Sequence, residues 1–491
     1  MTFPSYSYIF IFLPIVITVY FLLNKWGKYT VAKCVLLAAS LYFYSTFGLK
    51  GLIMIVLMTA ITYAIGTWAL SEGRSDTLRK TFMIIGIVLN TAVLLYCKYL
   101  VFFEIFLYDV TGNSLTYKAF VLPVGISYFT FSQIAYLVDS YRNPKGSACN
   151  ILDYALFVTF FPKITVGPIA LSTEMIPQFN DITRKQIDYD KLAKGMYGFV
   201  LGLAKKLILA DTLGNLVDTG YLSIANLNSV DALLVIVGYT LQIYFDFSGY
   251  CDMAIGICSM LGFELPDNFD APYRALSITE FWKRWHITLT RFFRNYIYIP
   301  LGGNRKGTFR TYLNTFIIFF ISGLWHGAAF HYVLWGVIHG VGMIISKLAA
   351  PVTRKLPKAL RWLVTFIFVN LTWVYFRAPD VGSANMMIGK LFTGGIGRPN
   401  TVVAVAGLPI ESDLLQWILA MFASDYTYLS TYIILAIIYG IALWLSTKGK
   451  TVRERVDGFV PSRGRVAVTV LLFVWSVISL SDIADFIYVN F

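Results

Sequence analysis

Gly323-Leu324-Trp325-His326-Gly327 places an imidazole in a stretch with no Asp, Glu, Lys or Arg between Arg310 and Lys347. The chain has 4 histidines, and an ionisable group at mid-membrane depth is costly and usually functional. Proton transfer is the chemistry such a ring offers, because its charge changes near neutral pH. The other reading is a neutral imidazole satisfied by a backbone carbonyl inside a helix bundle. Metal binding fits poorly. His331 follows His326 by five residues and His339 lies eight further on, spacings that do not converge on one helix face.

Upstream, Tyr244-Phe245-Asp246-Phe247-Ser248-Gly249-Tyr250-Cys251-Asp252 sets two carboxylates in apolar surroundings. Six residues apart, they do not share a helix face, which argues against a paired-carboxylate acid/base machine. One is a candidate to orient His326 or an acceptor hydroxyl, the other to cap a broken helix. Between residues 281 and 296, Trp282, Trp285, Leu289, Phe292, Phe293 and Tyr296 recur at helical spacing, with Lys283, Arg284, Arg291 and Arg294 opposite. This pattern predicts an interfacial amphipathic helix with His286 on its apolar side, one turn from Trp282. A structural role for His286 is as compatible with that placement as direct chemistry.

From Lys283 to Arg310 there are seven basic residues and no acidic one. The loop Gly302-Gly303-Asn304-Arg305-Lys306-Gly307 lacks the GxxxxGK[ST] order of a phosphate loop, so a nucleotide triphosphatase is not supported. It is either a tight turn in a basic loop or a receptor for the phosphates of an anionic donor. In the second case Arg305 and Lys306, with Arg294 upstream, are the donor-binding candidates. No GxSxG nucleophile elbow is present.

The elements that must position these groups are membrane helices. Hydrophobic residues make up 57% of the chain and charged residues 14%, against roughly 25% charged in a soluble domain, and mean hydropathy is +0.66. The net charge of +13 does not point to nucleic acid, because Lys and Arg fall in short clusters between apolar runs, as expected of cytoplasmic loops. The 5 cysteines (Cys34, Cys97, Cys149, Cys251, Cys258) are scattered, without ligand spacing. Apolar runs near 6–23, 31–49, 51–70, 81–108, 119–138, 151–171, 195–210, 229–263, 362–377, 401–423, 429–446 and 465–483 approach the ~20 residues of a crossing. Together with the His326 region they predict ten to twelve crossings, some re-entrant. Phe161-Pro162-Lys163, Val166-Gly167-Pro168 and Lys205-Lys206 interrupt two of them.

Lys25, Lys28 and Lys33 follow the first run and should stay in the cytosol, which leaves the N-terminus outside and makes that run a retained helix. Arg463 and Arg465 precede the last run, so the C-terminus is expected outside as well. Both flanks of residues 311–346 are basic, and its arms span roughly 22 and 28 Å at 1.5 Å per residue. A hairpin broken near Gly323 and Gly327, with His326 at the break, competes with one long tilted helix. The fold class is therefore all-α and polytopic. Its division is N-terminal helices over 1–118, a catalytic core over 119–346, and C-terminal helices with the tail over 347–491.

The ordered motifs resemble the membrane-bound O-acyltransferase superfamily, specifically its bacterial branch of alginate and peptidoglycan O-acetylation membrane subunits. The resemblance runs from Leu122-Pro123-Val124-Gly125-Ile126-Ser127-Tyr128 through Phe160-Phe161-Pro162, Gly167-Pro168, Asp246 to Asp252, and Asn268-Phe269-Asp270-Ala271-Pro272-Tyr273. It continues to Trp285-His286 and Leu324-Trp325-His326-Gly327, and resumes at Thr372-Trp373-Val374-Tyr375-Phe376-Arg377-Ala378. What it implies is acetyl transfer from cytosolic acetyl-CoA toward a glycan hydroxyl, with no bound cofactor, from the bacterial cytoplasmic (inner) membrane. It makes His326 the catalytic histidine and His286 the second histidine of the site. It also implies an extracytoplasmic SGNH or esterase-like acetyltransferase as partner. The ending Phe486-Ile487-Tyr488-Val489-Asn490-Phe491 resembles the tails in which a tyrosine carries the acyl group, so Tyr488 is the candidate relay; an aromatic interfacial anchor is the other reading. D-alanyl transfer to teichoic acid and a glycan or lipid transporter without covalent chemistry remain the alternatives.

Overall fold

A computed structural model describes residues 1–111, 122–408 and 426–481, apart from the side chains of 101–110, 146–147, 426–429 and 481. Among these residues the regular elements are helices, with one strand-like bridge of Phe269 against Trp285. Among the described residues, six helices are long and apolar enough to cross a bilayer: Tyr8–Lys25, Leu49–Ala69, Asp76–Leu100, Ser229–Met260, Lys358–Arg377 and Ser430–Thr447. The helices that bear on the site are α1 (Tyr29–Ser45), α2 (Asp76–Thr111), α3 (Ile126–Arg142), α4 (Tyr189–Ala204), α5 (Ser229–Met260) and α6 (Ile278–Arg284). They continue with α7 (Ile287–Phe293), α8 (Gly307–His326), α9 (Phe330–Leu348) and α10 (Lys358–Arg377).

The central post is α5, with 78% of its apolar window buried. Its N-terminus is fixed by a capping box: Asn228 Oδ1 accepts from the Val230 and Asp231 amides at 2.8 and 3.0 Å, and the Asp231 carboxylate accepts from Asn228 N at 3.1 Å. It packs on α4 through glycines spaced seven apart on each helix. A Cβ at Gly202 would come within 2.6 Å of the Gly249 carbonyl, and one at Gly256 within 2.7 Å of Gly195. In hydrocarbon, such close backbone approach replaces the hydrophobic drive that water would supply.

The apolar run at 311–346 is a hairpin. Helix α8 ends at His326, Gly327 and Ala329 are extended, and α9 starts at Phe330. Each arm is about 30 Å long at 1.5 Å per residue. The arms touch where Gly323 faces Gly336: a Cβ on Gly323 would meet the Tyr332 carbonyl at 2.5 Å, and one on Gly336 the Phe319 carbonyl at 2.4 Å.

Three expectations need correction. The continuous amphipathic helix over 281–296 is broken, into α6 and α7, because Trp285 and His286 are drawn out to pair with the 268–270 segment. Ile287 N donates to Asn268 O and Asp270 N to Arg284 O, both at 3.0 Å. Its aromatic face is nevertheless buried as the spacing indicates. Neither carboxylate of α5 caps a broken helix, since α5 runs unbroken through both. Lys33, expected as a cytosolic flank charge, is buried in α1, where Asp153 and Asn180 hold it at 2.5 and 3.0 Å. The interruption at 160–171 is as expected, and Phe160, Phe161, Ile164, Val166 and Ile169 bury that irregular chain in protein, as irregular backbone at membrane depth requires.

Candidate functional site

His326 is the last residue of α8 and is 3% exposed. Three aromatic rings wall it: Trp325 beside it at 4.7 Å between centroids, Trp335 of α9 at 5.0 Å and Phe376 of α10 at 5.0 Å. The helix stops because Gly327 leaves it extended, at φ −169 and ψ 153. The last carbonyls of any helix lack intrahelical donors, and here α2 supplies them. Lys98 Nζ donates to Trp325 O and Tyr99 Oη to Leu324 O. Sequence reasoning passed over Lys98, whose only signal is a lone cation inside the apolar run at 81–108.

His286 stands on the other side of Trp325, 6.4 Å from it between ring centroids. It occupies the left-handed backbone region at φ 46, where a side chain with a Cβ is rarely found outside strained functional positions. Asn268 holds it there. The Asn268 carbonyl oxygen lies 3.3 Å from His286 Nδ1 and accepts from Thr288 Oγ1 at 2.7 Å and Thr288 N at 3.2 Å. The rings of Phe247, edge-on at 4.8 Å, and Tyr128, stacked at 6.4 Å, complete its surroundings. The other two histidines serve elsewhere. His331 Nδ1 sits 2.9 Å from the Tyr375 carbonyl, and His339 Nδ1 accepts from Trp282 Nε1 at 3.2 Å. Among the described residues, no three His, Cys, Asp or Glu side chains gather as a metal site requires.

Asp246 and Asp252 are bound by lysines. Lys206 bonds Asp246 and Asp211, each at 2.7 Å, and Lys205 bonds Asp252 at 2.6 Å. Buried charges persist when paired and hydrogen-bonded, so these carboxylates neutralise the two lysines of the π-helical turn Lys205–Ala210. Asp252 and Lys205 share a cavity of about 20 Å³ with Asn268, the residue that holds His286.

Of the donor-binding candidates, Arg305 and Lys306 are exposed in the Gly302–Gly307 turn. Arg294 lines a mostly apolar cavity of about 160 Å³ together with Lys347, Tyr298, Phe319 and Trp282. Its inner wall nears His326, because Trp282 meets Trp335 edge-on at 5.8 Å and Trp335 meets His326 at 5.0 Å. Tyr488 lies outside the described residues.

A bundle of membrane helices that buries an imidazole at a helix break, near a cavity lined by two cations, defines a multi-pass α-helical membrane protein. The chain belongs to the membrane-bound O-acyltransferase family, whose model matches residues 37–381. It is similar to a peptidoglycan O-acetyltransferase of Helicobacter pylori, 38% identical over 419 residues that cover 78% of each chain. It also resembles a probable alginate O-acetylase of Pseudomonas aeruginosa, at 37% over 430 residues, 86% of this chain and 81% of the relative. A teichoic acid D-alanyltransferase of Bacillus subtilis matches at 27% over 249 residues, 49% of this chain and 62% of the relative. The protein is thus an acyltransferase.

Proposed function

We propose that this acyltransferase moves an acetyl group from cytosolic acetyl-CoA across the bacterial inner membrane for O-acetylation of a cell-surface or secreted polysaccharide. The observation that carries the reading is His326, a buried imidazole at the end of an interrupted helix, walled by aromatic rings next to a cation-rimmed cavity. An alcohol is a weak nucleophile until a base takes its proton. His326 accepts that proton as the oxygen attacks the thioester carbonyl carbon. The tetrahedral intermediate then expels the thiolate by breaking the C–S bond, and the imidazolium returns the proton to sulfur. His286, the second histidine of the site, is held for contact with acceptor or intermediate. Arg294 and Lys347 receive the donor's phosphates, with the loop cations Arg305 and Lys306 at the periphery.

The relatives favour acetyl over D-alanyl transfer, since the D-alanyltransferase is less identical and spans a shorter part of the chain. We further assign the first acceptor to the Tyr488 phenol, which passes the acetyl group to an extracytoplasmic esterase-like acetyltransferase and thence to the glycan. Helices outside the six apolar spans, among them α8 and α9, bring the crossings to ten to twelve in this reading. The test is purified protein given acetyl-CoA, with free thiol and the mass of the C-terminal peptide followed together. Thiol release with an acetyl adduct on Tyr488 is expected. A transporter would give neither, and thiol release without the adduct would remove the relay.

A further inference from the structure

The position of His326 is set by how α8 ends, and that end is unusual. Helices commonly close on a left-handed residue that folds the chain's own amides back onto the last carbonyls. Gly327 is extended instead, so the closing donors come from another helix. Lys98 and Tyr99 are consecutive on α2, and they bond the consecutive carbonyls Trp325 O and Leu324 O. The Lys98 ammonium also lies 5.5 Å from the centre of the Trp325 ring, a cation–π contact. That ring packs against His326 on one side and His286 on the other. An ammonium at a helix C-terminus is further favoured by the helix dipole.

We propose that Lys98, seconded by Tyr99, is the positioning residue for His326: it ends α8 one residue short of the glycine and holds the Trp325 ring that separates the two histidines. The inference rests on the reading of His326 as the base. Trp325 and His326 are buried, so bulk water does not replace a missing donor at those carbonyls. Without the ammonium the last turn of α8 must rewind or tilt, and the imidazole moves with it. A displacement of about 1 Å at a reacting group costs on the order of 10²-fold in rate.

The experiment uses the full-length protein in proteoliposomes with acetyl-CoA, comparing wild type, Lys98→Met, Lys98→Arg, Tyr99→Phe and His326→Ala. The readouts are kcat, KM, thermal midpoint and the rate at which diethylpyrocarbonate modifies His326. Lys98→Met is expected to lose about 10²-fold in kcat with KM for acetyl-CoA unchanged, and its His326 to react faster with the reagent. Lys98→Arg, which still donates to Trp325 O, recovers most of the rate. If Lys98→Met fails to fold, Tyr99→Phe carries the test with a smaller loss of kcat at unchanged KM. Wild-type kcat and unchanged His326 reactivity in a folded Lys98→Met or Tyr99→Phe overturn the inference. An active His326→Ala overturns the base assignment instead, and the reagent rate then still judges the positioning of the ring.

Discussion

At the residue scale, the two histidines were legible for different reasons. His326 announces itself as the sole histidine in the first arm and turn of a run without Asp, Glu, Lys or Arg. His286 is visible as a motif residue, but its left-handed backbone is not, because φ 46 is imposed by pairing with Asn268 across the fold. Lys98 was illegible: one lysine inside an apolar run looks like a charge that snorkels toward the interface. Asp246 and Asp252 were legible as buried carboxylates, whereas their partners Lys205 and Lys206, forty residues away, require the α4–α5 packing. The strain at His286 gives a prediction that separates fold from chemistry. Asn tolerates the left-handed region better than Ala, so His286→Asn should keep more stability than His286→Ala, by about 1 kcal/mol. Both should fall well below wild-type turnover. Thermal unfolding in detergent beside turnover checks this, and equal midpoints would mean the backbone strain has no energetic weight.

At the scale of elements, the hairpin of α8 and α9 is one of the two readings that the basic flanks and glycines left open, and the break begins at Gly327, directly after His326. The break between α6 and α7 was not readable, because the aromatic spacing on either side remains helical and a tertiary pairing interrupts it. This is context overriding local propensity. The hairpin contact predicts a severe effect of bulk at Gly323. A side chain there must push away the Tyr332 carbonyl, 2.5 Å from its Cβ. Overpacking of a tight contact typically costs about 1–3 kcal/mol, so Gly323→Leu should lower the folded yield and the thermal midpoint, while Gly440→Leu, whose Cβ has nothing within 4 Å, should not. Equal yields would show that the arms separate freely.

At the scale of the molecule, the proposed reaction joins a cytosolic thioester to an outer polysaccharide across ~30 Å of hydrocarbon, and the described residues form a helical bundle in a chain whose composition alone marked it as polytopic. The domain limits at 118 and 346 remain expectations about function; the buried core draws on all three parts, from Phe3 to Leu480. The donor side is testable through the cation-rimmed cavity. Arg294→Glu with Lys347→Glu should raise KM for acetyl-CoA at least tenfold, a loss of about 1.4 kcal/mol in binding, with a smaller change in kcat. The same reversal at Arg305 and Lys306 should change KM less, since the cavity is lined by Arg294 and Lys347 and not by those two side chains. The opposite ranking would move the donor site to the loop. For the proposed relay, Tyr488→Phe keeps the ring but removes the oxygen and should abolish surface acetylation with expression intact; full acetylation would reduce the tail to an anchor.

The central claim is that His326 is the base for transfer from a CoA thioester. Its most direct measurement is the single-turnover rate of thiol release from acetyl-CoA by wild type and by His326→Ala at matched folded concentration. General-base catalysis contributes about 10²- to 10⁴-fold, so the variant should fall by that factor with its thermal midpoint near that of wild type. A His326→Ala protein that releases thiol at the wild-type rate would contradict the account.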